Sequence, residues 1–363
     1  MTSLAPDLAG SGPTPGRPTG PVAPTGSVVP TGSVVPTGSV APADASEPLE
    51  SVETAELLGH APRERRRPAL SPSRANDFMQ CPLLFRFRVV DKLPEPPSSA
   101  AARGTLVHSV LERLYDAPVG ERTLAAAQAM LPGEWERLQE AEPRYAELFA
   151  GGAGGAAPSA GTAGAGAGPD SPPDGGVQAW LDGAGNLLGT YFTLEDPNRL
   201  EPAEREMFVE TQLEDGPLLR GIVDRLDVAP NGAMRVVDYK TGKSPRPQYQ
   251  GSALFQMRFY GLVLWRERGE IPKMLQLVYL GDGQVLRAEP QEADLRAVEE
   301  QVRTLWSTIT QAARTGQWTP RRTPLCGWCA HQALCPQFGG TPPEIPEGAV
   351  ELALGIAPEA VAS

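Results

Sequence analysis

The chain has 363 residues and a net charge of −12, and glycine and proline, at 39 each, exceed a fifth of the total. It lacks an apolar run of roughly 18 residues, the minimum for a membrane-spanning helix. It also lacks an N-terminal basic segment followed by an apolar core, so we expect a cytoplasmic rather than a secreted or membrane protein.

The negative charge is concentrated near the two ends of the chain. Residues 1–60 contain one basic and six acidic residues, and residues 341–363 contain four acidic and none basic. The region between them holds 31 basic and 34 acidic residues, which is nearly balanced. The overall acidity therefore argues only weakly against a nucleic-acid partner.

Three segments have the composition of unpacked chain. Residues 1–67 are rich in Pro and Gly and repeat PTGSVV, which predicts a disordered tail. Residues 151–176 are mostly Ala and Gly, which indicates a flexible insertion. We predict a loose C-terminal tail over 339–363, with a short helix near Val350, and one packed domain over 68–338.

Helices are predicted first along the packed domain. Ser71 followed by Pro72 is typical of a helix start. Leu106, Val110 and Leu114 are spaced as on one face of an amphipathic helix. Further helices are expected within 121–149 and 177–194.

The pattern then changes to short β-branched segments separated by turn residues. EREMFVETQL, LLRGIVDRLDVA and MRVVDYKTG predict three strands, and Asn231-Gly232 predicts a hairpin turn between the last two. A long helix, two more strands and a closing helix follow up to residue 316. This order predicts an α/β fold with a sheet packed by helices.

The letters Gly242-Lys243-Ser244 resemble the end of a phosphate-binding loop. Such a loop also needs a glycine five residues before Gly242, where this chain has Val237, and a helix directly after it. Pro245 and Pro247 follow instead. We therefore reject a nucleotide-binding loop here.

The same stretch predicts a metal site. Asp238 and Lys240 are two residues apart, so on a strand they lie on one face. Asp224 and Asp238 are each seven residues from Asn231, which places them opposite one another in the hairpin. Carboxylate oxygens suit Mg²⁺, and a lysine can stabilise negative charge on a phosphate. This combination is typical of phosphodiester hydrolysis.

In their order along the chain, these motifs resemble the RecB-like exonuclease family of the PD-(D/E)XK nuclease superfamily. RGTLVHSVLERLY resembles the family's Gly-x-x-x-His helix, and GIVDRLD followed by VVDYKTG resembles its catalytic core. The resemblance implies a restriction-endonuclease-like core, a central mixed sheet flanked by helices, with additional N-terminal helices. The superfamily name implies a proline near the position of Gly221, and this chain departs from the motif there.

The resemblance also implies roles for individual residues. His108, Asp224 and Asp238 would bind Mg²⁺ or Mn²⁺, and Asp224, Asp238, Lys240 and Glu206 would be catalytic. QMRFY resembles the family's Gln-x-x-x-Tyr helix, which makes Gln256 and Tyr260 candidates for DNA contact or active-site support. Several basic and aromatic residues are candidates for lining a DNA path, or are ordinary residues of amphipathic helices, and the sequence does not separate these alternatives: Arg225, Arg246, Tyr249, Arg258 and Phe259.

The chain has four cysteines, one of them isolated and three close together in the sequence. Cys81 lies far upstream of Cys326, Cys329 and Cys335. Four thiolates hold either structural zinc or an iron–sulfur cluster. FMQCP with CGWCAHQALCP resembles the 4Fe–4S staple of the AddB and Cas-type RecB-like nucleases, which ties the two ends of the domain together. Zinc, free thiols and ligation by His331 remain alternatives.

The resemblance implies a metal-dependent DNA nuclease. The expected activity is that of an exonuclease in DNA repair or recombination, acting alone or with a separate helicase. The expected partner is DNA, with a free end or single-stranded. A non-catalytic RecB-like module that binds DNA or scaffolds a complex is an alternative, as is a nuclease of CRISPR adaptation.

Overall fold

Five strands form one mixed sheet in the computed structural model, which describes residues 67–150 and 176–356. The strands lie in the sheet in their order along the chain. Their bounds are β1 Glu204–Gln212, β2 Leu218–Val228, β3 Met234–Lys240, β4 Met274–Tyr279 and β5 Gln284–Ala288. The predicted α/β class, with a mixed sheet flanked by helices, is confirmed.

The first three strands form an antiparallel meander, and β3 then pairs in parallel with β4. The predicted turn at Asn231-Gly232 joins β2 to β3, and Gly232 has the left-handed φ of +82° that this turn requires. A parallel pair needs a crossover connection, which the helix between β3 and β4 provides. Strand β5 returns antiparallel to β4.

Helices cover both faces of the sheet. The described helices are α1 Pro72–Gln80, α2 Pro82–Phe85, α3 Ser99–Leu114, α4 Leu124–Ala141, α5 Glu147–Ala150, α6 Gly176–Leu194, α7 Gly251–Arg268, α8 Glu292–Thr315 and α9 Ala349–Leu354. A π-helical segment, Arg86–Val90, follows α2. Of the helices in these ranges, none is long and apolar enough to cross a membrane.

Alternate residues of β3 point into two separate cores. Val236 packs with apolar residues of α1, α2, α7 and α8, whereas Val237 and Tyr239 pack with α3, α4 and α6. The side-chain alternation of a strand explains this division. As predicted, α1 begins after Ser71, whose hydroxyl accepts a hydrogen bond of 3.2 Å from the backbone N–H of Arg74.

The packed part of the chain extends beyond the predicted boundary at residue 338. The short helix near Val350 forms, but Val350, Leu354 and Ile356 are buried in the core that α7 and α8 also line. The prediction of a loose tail from 339 is therefore wrong for these residues, because the apolar spacing within AVELALGI gives them a core face. Of the tail predicted over 1–67 and the insertion predicted over 151–176, residues 1–66 and 151–175 lie outside the described residues.

Candidate active site at the fork between two strands

Strands β2 and β3 separate at the centre of the candidate site. Their pairing runs from Val228 opposite Met234 to Arg225 opposite Val237. Beyond that point β2 continues beside β1, while β3 continues beside β4. Asp224 and Asp238 are the first residues past this fork, opposite one another as the hairpin symmetry predicted.

The fork leaves backbone groups of Tyr239 without a partner on β2, and side chains take the place of the strand. The N–H of Tyr239 donates to Oδ2 of Asp224 over 2.6 Å. The carbonyl oxygen of Tyr239 lies 3.1 Å from Nε2 of His108. Because buried backbone groups must be paired, these contacts fix both side chains to the open end of the fork.

His108 reaches the fork from α3. Its Nδ1 lies 3.6 Å from Oδ2 of Asp224 and 3.8 Å from Oε1 of Glu206. Potential ligand atoms of these three residues all lie within 4.8 Å of one another. One imidazole nitrogen and two carboxylates suit a divalent cation such as Mn²⁺ or Mg²⁺.

Glu206 completes a row of acidic residues across three strands. The register of β1 and β2 places it opposite Asp224, which in turn lies opposite Asp238. Its φ is +44°, a left-handed backbone that costs a non-glycine residue roughly 1–2 kcal/mol. Strain of this kind is concentrated at functional sites, where surrounding structure compensates for it.

Asp238 is held by two other side chains. Its Oδ2 lies 2.6 Å from Nζ of Lys240, and its Oδ1 accepts a hydrogen bond of 3.0 Å from Nε2 of Gln256 on α7. Asp238 is only 4 % exposed. The predicted metal ligands are His108, Asp224 and Asp238; in this structure a carboxylate oxygen of Glu206, rather than of Asp238, lies within 4.8 Å of ligand atoms of the other two.

The electrostatics of the fork reflect this crowding of acids. Burial raises the pKa of Asp238 to about 6, and the neighbouring charge of Asp224 adds to the effect. Burial alone would lower the pKa of His108, but the Asp224 and Glu206 carboxylates outweigh it and raise that pKa to about 9. The negative potential at the fork therefore favours a bound cation.

The match to a family model decides the identity of this fold. Residues 69–336 match the model of the PD-(D/E)XK nuclease superfamily. The chain belongs to this superfamily. Its members use divalent metals, which agrees with the donor set of His108, Glu206 and Asp224. A nuclease acting on nucleic acid is therefore the general class of the protein, and a resemblance to the RecB-like branch stays a prediction.

Two individual proteins are similar to this chain. The Gene 69 protein of Mycobacterium phage L5 is 25 % identical over 306 residues, covering 75 % of this chain and 97 % of the phage protein. A solved structure of a candidate exonuclease from Eubacterium rectale is 12 % identical, with a TM-score of 0.43, and covers 73 % of this chain and 88 % of that one.

Tyr260 is mainly a packing residue at the edge of the site. It is 7 % exposed and lies against Gly221 of β2, where an added Cβ would come within 2.5 Å of the ring. Gly221 stands near the place where the superfamily name implies a proline. Its lack of a side chain lets α7 approach β2. That approach also carries Gln256, one turn earlier on α7, to Asp238.

The prediction that Arg225 and Phe259 line a DNA path is wrong. Arg225 is 1 % exposed, and its guanidinium forms a two-pronged ion pair with Glu195 at 2.7 and 3.0 Å. It also contacts the hydroxyl group of Tyr239. Phe259 is fully buried in the core. Strand alternation explains the error, since Arg225 follows Asp224 and points to the opposite face.

The other residues expected on a DNA path lie at the surface. Arg246 is exposed, and Tyr249 is 69 % exposed on the loop that precedes α7. Arg258 is partly exposed and pairs with Asp294 of α8 at 3.0 Å. Within the described part of the chain, none of these three residues forms a hydrogen bond with a residue of the fork.

The four cysteines line one cavity between α2 and the segment that follows α8. The Sγ of Cys81 lies 3.4 Å from the backbone nitrogen of Arg321, so this isolated cysteine lies next to the segment that carries the other three cysteines. None of the four forms a disulfide, and all are partly buried. Among the described residues, however, no three of the sulfurs lie within 4.8 Å of one another. His331, buried in the same wall, instead has its Nε2 2.8 Å from Glu95.

Two residues near the acidic row, Tyr239 and Phe208, were not predicted from the sequence as parts of the site. Tyr239 holds the fork through its backbone, and no side-chain pattern signals such a role. Phe208 was findable, because it lies two residues after Glu206 on β1 and so shares its face. Phe208 is 42 % exposed, on the edge strand of the sheet.

Proposed function

We propose that the protein is a metal-dependent deoxyribonuclease that hydrolyses phosphodiester bonds. The observation that carries this proposal is the row Glu206, Asp224 and Asp238 at the strand fork, with His108 and Lys240 beside it. Membership of the PD-(D/E)XK superfamily supports it. A module retained only for binding would have no need for a strained, buried row of like charges.

His108, Glu206 and Asp224 are the residues that would hold Mg²⁺ or Mn²⁺. Their donor types fit, and among the described residues the cations that act on Asp224 are His108 and Lys240. When bound, the cation lowers the pKa of a coordinated water and neutralises the phosphate. The hydrogen bond from Tyr239 and the contact to His108 orient Asp224 toward that position.

Asp238 and Lys240 form the second half of the proposed catalytic set. Burial would lower the pKa of Lys240, but the Asp238 and Asp224 carboxylates outweigh it and raise that pKa, so the side chain stays a cation. A cation held 2.6 Å from Asp238 can position an attacking water or stabilise negative charge that develops on the phosphate. Gln256 fixes the other oxygen of Asp238 and acts as a positioning residue.

We extend the proposal to exonuclease action on DNA with a free end, in DNA repair or recombination, alone or with a separate helicase. The buried position of Asp238 supports action on an end, because an end can enter a narrow fork more easily than the middle of a duplex. The test compares end-labelled linear single-stranded DNA with a closed single-stranded circle of the same sequence, in Mn²⁺. Degradation of the linear strand alone is expected, and equal cleavage of the circle would contradict exonuclease action.

We also propose that Cys81, Cys326, Cys329 and Cys335 hold a 4Fe–4S cluster with a structural role. The four thiols share one cavity, which supports a common ligand. The resemblance of FMQCP and CGWCAHQALCP to the 4Fe–4S staple of RecB-like nucleases favours the cluster over zinc. Bridging Cys81 to residues beyond α8 would close a loop of almost the whole domain.

Anaerobic purification followed by metal and sulfide analysis tests this cluster. About four irons and four acid-labile sulfides per chain, with a brown colour, are expected. A Cys81→Ser variant should lose most of the iron. A colourless preparation with one zinc per chain and no iron would contradict the proposal.

A further inference from the structure

A groove of about 580 Å³ opens beside the fork. Gln256 and Tyr260 of α7 line it, and Gln256 also donates the hydrogen bond to Asp238, so one side chain borders the groove and contacts the acidic row. The other walls come from the start of α1, the outer part of β1 and β2, and α9. The C-terminal helix is therefore part of the wall beside the site.

The groove is basic although the chain as a whole is acidic. Its lining includes the cationic side chains of Arg67, Arg74, Lys92 and Arg220, and none of the described residues that line it is acidic. Glu210 lies behind this lining, 3.5 Å from Arg67 and 3.4 Å from Arg220. In a chain with a net charge of −12, such a local excess of cations indicates an anionic occupant.

An exposed aromatic ring lies within this basic lining. Phe208 of β1 is 42 % exposed, and the guanidinium of Arg220 lies 6.0 Å from the centre of its ring. Leu352 of α9, 68 % exposed, lines the same groove. Exposed apolar side chains among cations suit a ligand that alternates flat apolar rings with negative charges.

We propose that this groove binds single-stranded DNA on its way to the fork, with one base stacked on Phe208 and phosphates contacted by Arg74 and Lys92. This inference rests on the proposed nuclease function and names the form of its substrate. A single strand exposes the faces of its bases, whereas a duplex hides them in its own stack. A groove of this volume, in the range of small-ligand pockets, is also too small for a duplex.

The test is fluorescence anisotropy of a labelled single-stranded oligonucleotide with the full chain in EDTA, which prevents cleavage. Phe208→Ala should weaken binding by roughly 5- to 150-fold, the range for loss of one base–aromatic stack. Val119→Ala is the control, because Val119 is also an exposed apolar residue, at 62 %, and lies outside the groove. This control should bind normally.

An oligonucleotide of the same length made of abasic residues separates stacking from charge. It retains phosphates but has no bases, so wild type and Phe208→Ala should bind it equally. Replacing Arg74 and Lys92 together by glutamine should weaken both oligonucleotides. It should also reduce the slope of log affinity against log salt by about 1.4, since each phosphate contact with a single strand contributes about 0.7.

Three results would overturn the inference: unchanged binding by Phe208→Ala, an equal loss on the abasic oligonucleotide, or equally tight binding of a blunt duplex. The proposed function fails in a different way. If the predicted binding pattern holds but wild type cleaves no DNA in Mn²⁺ or Mg²⁺, the groove stands and the nuclease proposal does not. If cleavage occurs and Phe208→Ala binds normally, the nuclease proposal stands and the groove proposal does not.

Discussion

Asp224 on β2 accepts a 2.6 Å hydrogen bond from the backbone N–H of Tyr239 on β3, at the place where the two strands stop pairing. The carboxylate thus replaces a missing strand and holds the fork open. The same contact fixes the carboxylate in front of His108. The separation of β2 from β3 and the proposed metal binding therefore both depend on Asp224. A small shift of one strand against the other would move this ligand.

Cation binding should stabilise the folded chain through the His108, Glu206 and Asp224 group. At a Mn²⁺ concentration 100 times its dissociation constant, the free energy of unfolding should rise by about 2.7 kcal/mol. Glu206→Gln should keep the fold and lose most of this increment, since it removes one charge from the set. Thermal unfolding with and without Mn²⁺ measures the effect, and an undiminished increment in Glu206→Gln would contradict the assignment.

The metal-free protein should lose stability as the pH rises from 6.5 to 9. The pKa of His108 in the folded chain is about 9, above its ordinary 6.5. The imidazolium therefore stabilises the folded state fully below pH 6.5, and this contribution is lost as the pH passes 9. Relative to His108→Gln, the wild type should lose on the order of 2–3 kcal/mol over this range. Urea unfolding in EDTA at pH 6 and pH 9.5 measures it, and a parallel pH dependence of the two proteins would contradict it.

Gly221→Ala should be destabilising because its Cβ would lie 2.5 Å from Cε1 of Tyr260. Forcing the ring aside should cost about 1–3 kcal/mol and move Gln256 away from Asp238. Gly189→Ala in α6 is the control, since a Cβ there meets open space and should raise stability by up to about 1 kcal/mol. Equal melting temperatures for the two variants would contradict the packing role of Gly221.

Arg225→Met should destabilise the domain without a direct effect on DNA binding. It would leave Glu195, only 10 % exposed, without its guanidinium partner, which costs about 3–5 kcal/mol. Arg296→Met, which removes an exposed pair with Glu292, should change stability by less than about 1 kcal/mol. Chemical unfolding compares the two, and a stable Arg225→Met that binds DNA more weakly would restore the rejected DNA-contact role.

Much of the sheet and part of the site were predictable because they depend on local patterns. The turn at Asn231-Gly232 fixes the register of β2 and β3, so the opposition of Asp224 and Asp238 followed from counting residues. Lys240 followed from strand alternation. These relations need no knowledge of how the helices pack.

The rest depended on contacts between distant segments. Strand alternation shows that Arg225 and Asp224 face opposite sides, but only the position of α6 shows that Glu195 buries the arginine. The left-handed φ of Glu206 and the end of the β2–β3 pairing have no sequence signal of their own. The basic groove combines residues from α1, β1, β2 and α9, so it exists only once these elements pack together.

The most direct test of the central claim is cleavage of end-labelled single-stranded DNA in Mn²⁺ by wild type, Asp224→Asn and Lys240→Met. Asp182→Asn, an exposed position on α6, is the matched control. Wild type and control should cleave at equal rates, and EDTA should abolish the reaction. Asp224→Asn should be inactive, and Lys240→Met should be slower by about 10²- to 10³-fold. Full activity in both fork variants, or no cleavage by a folded wild type in Mn²⁺ or Mg²⁺, would contradict the account.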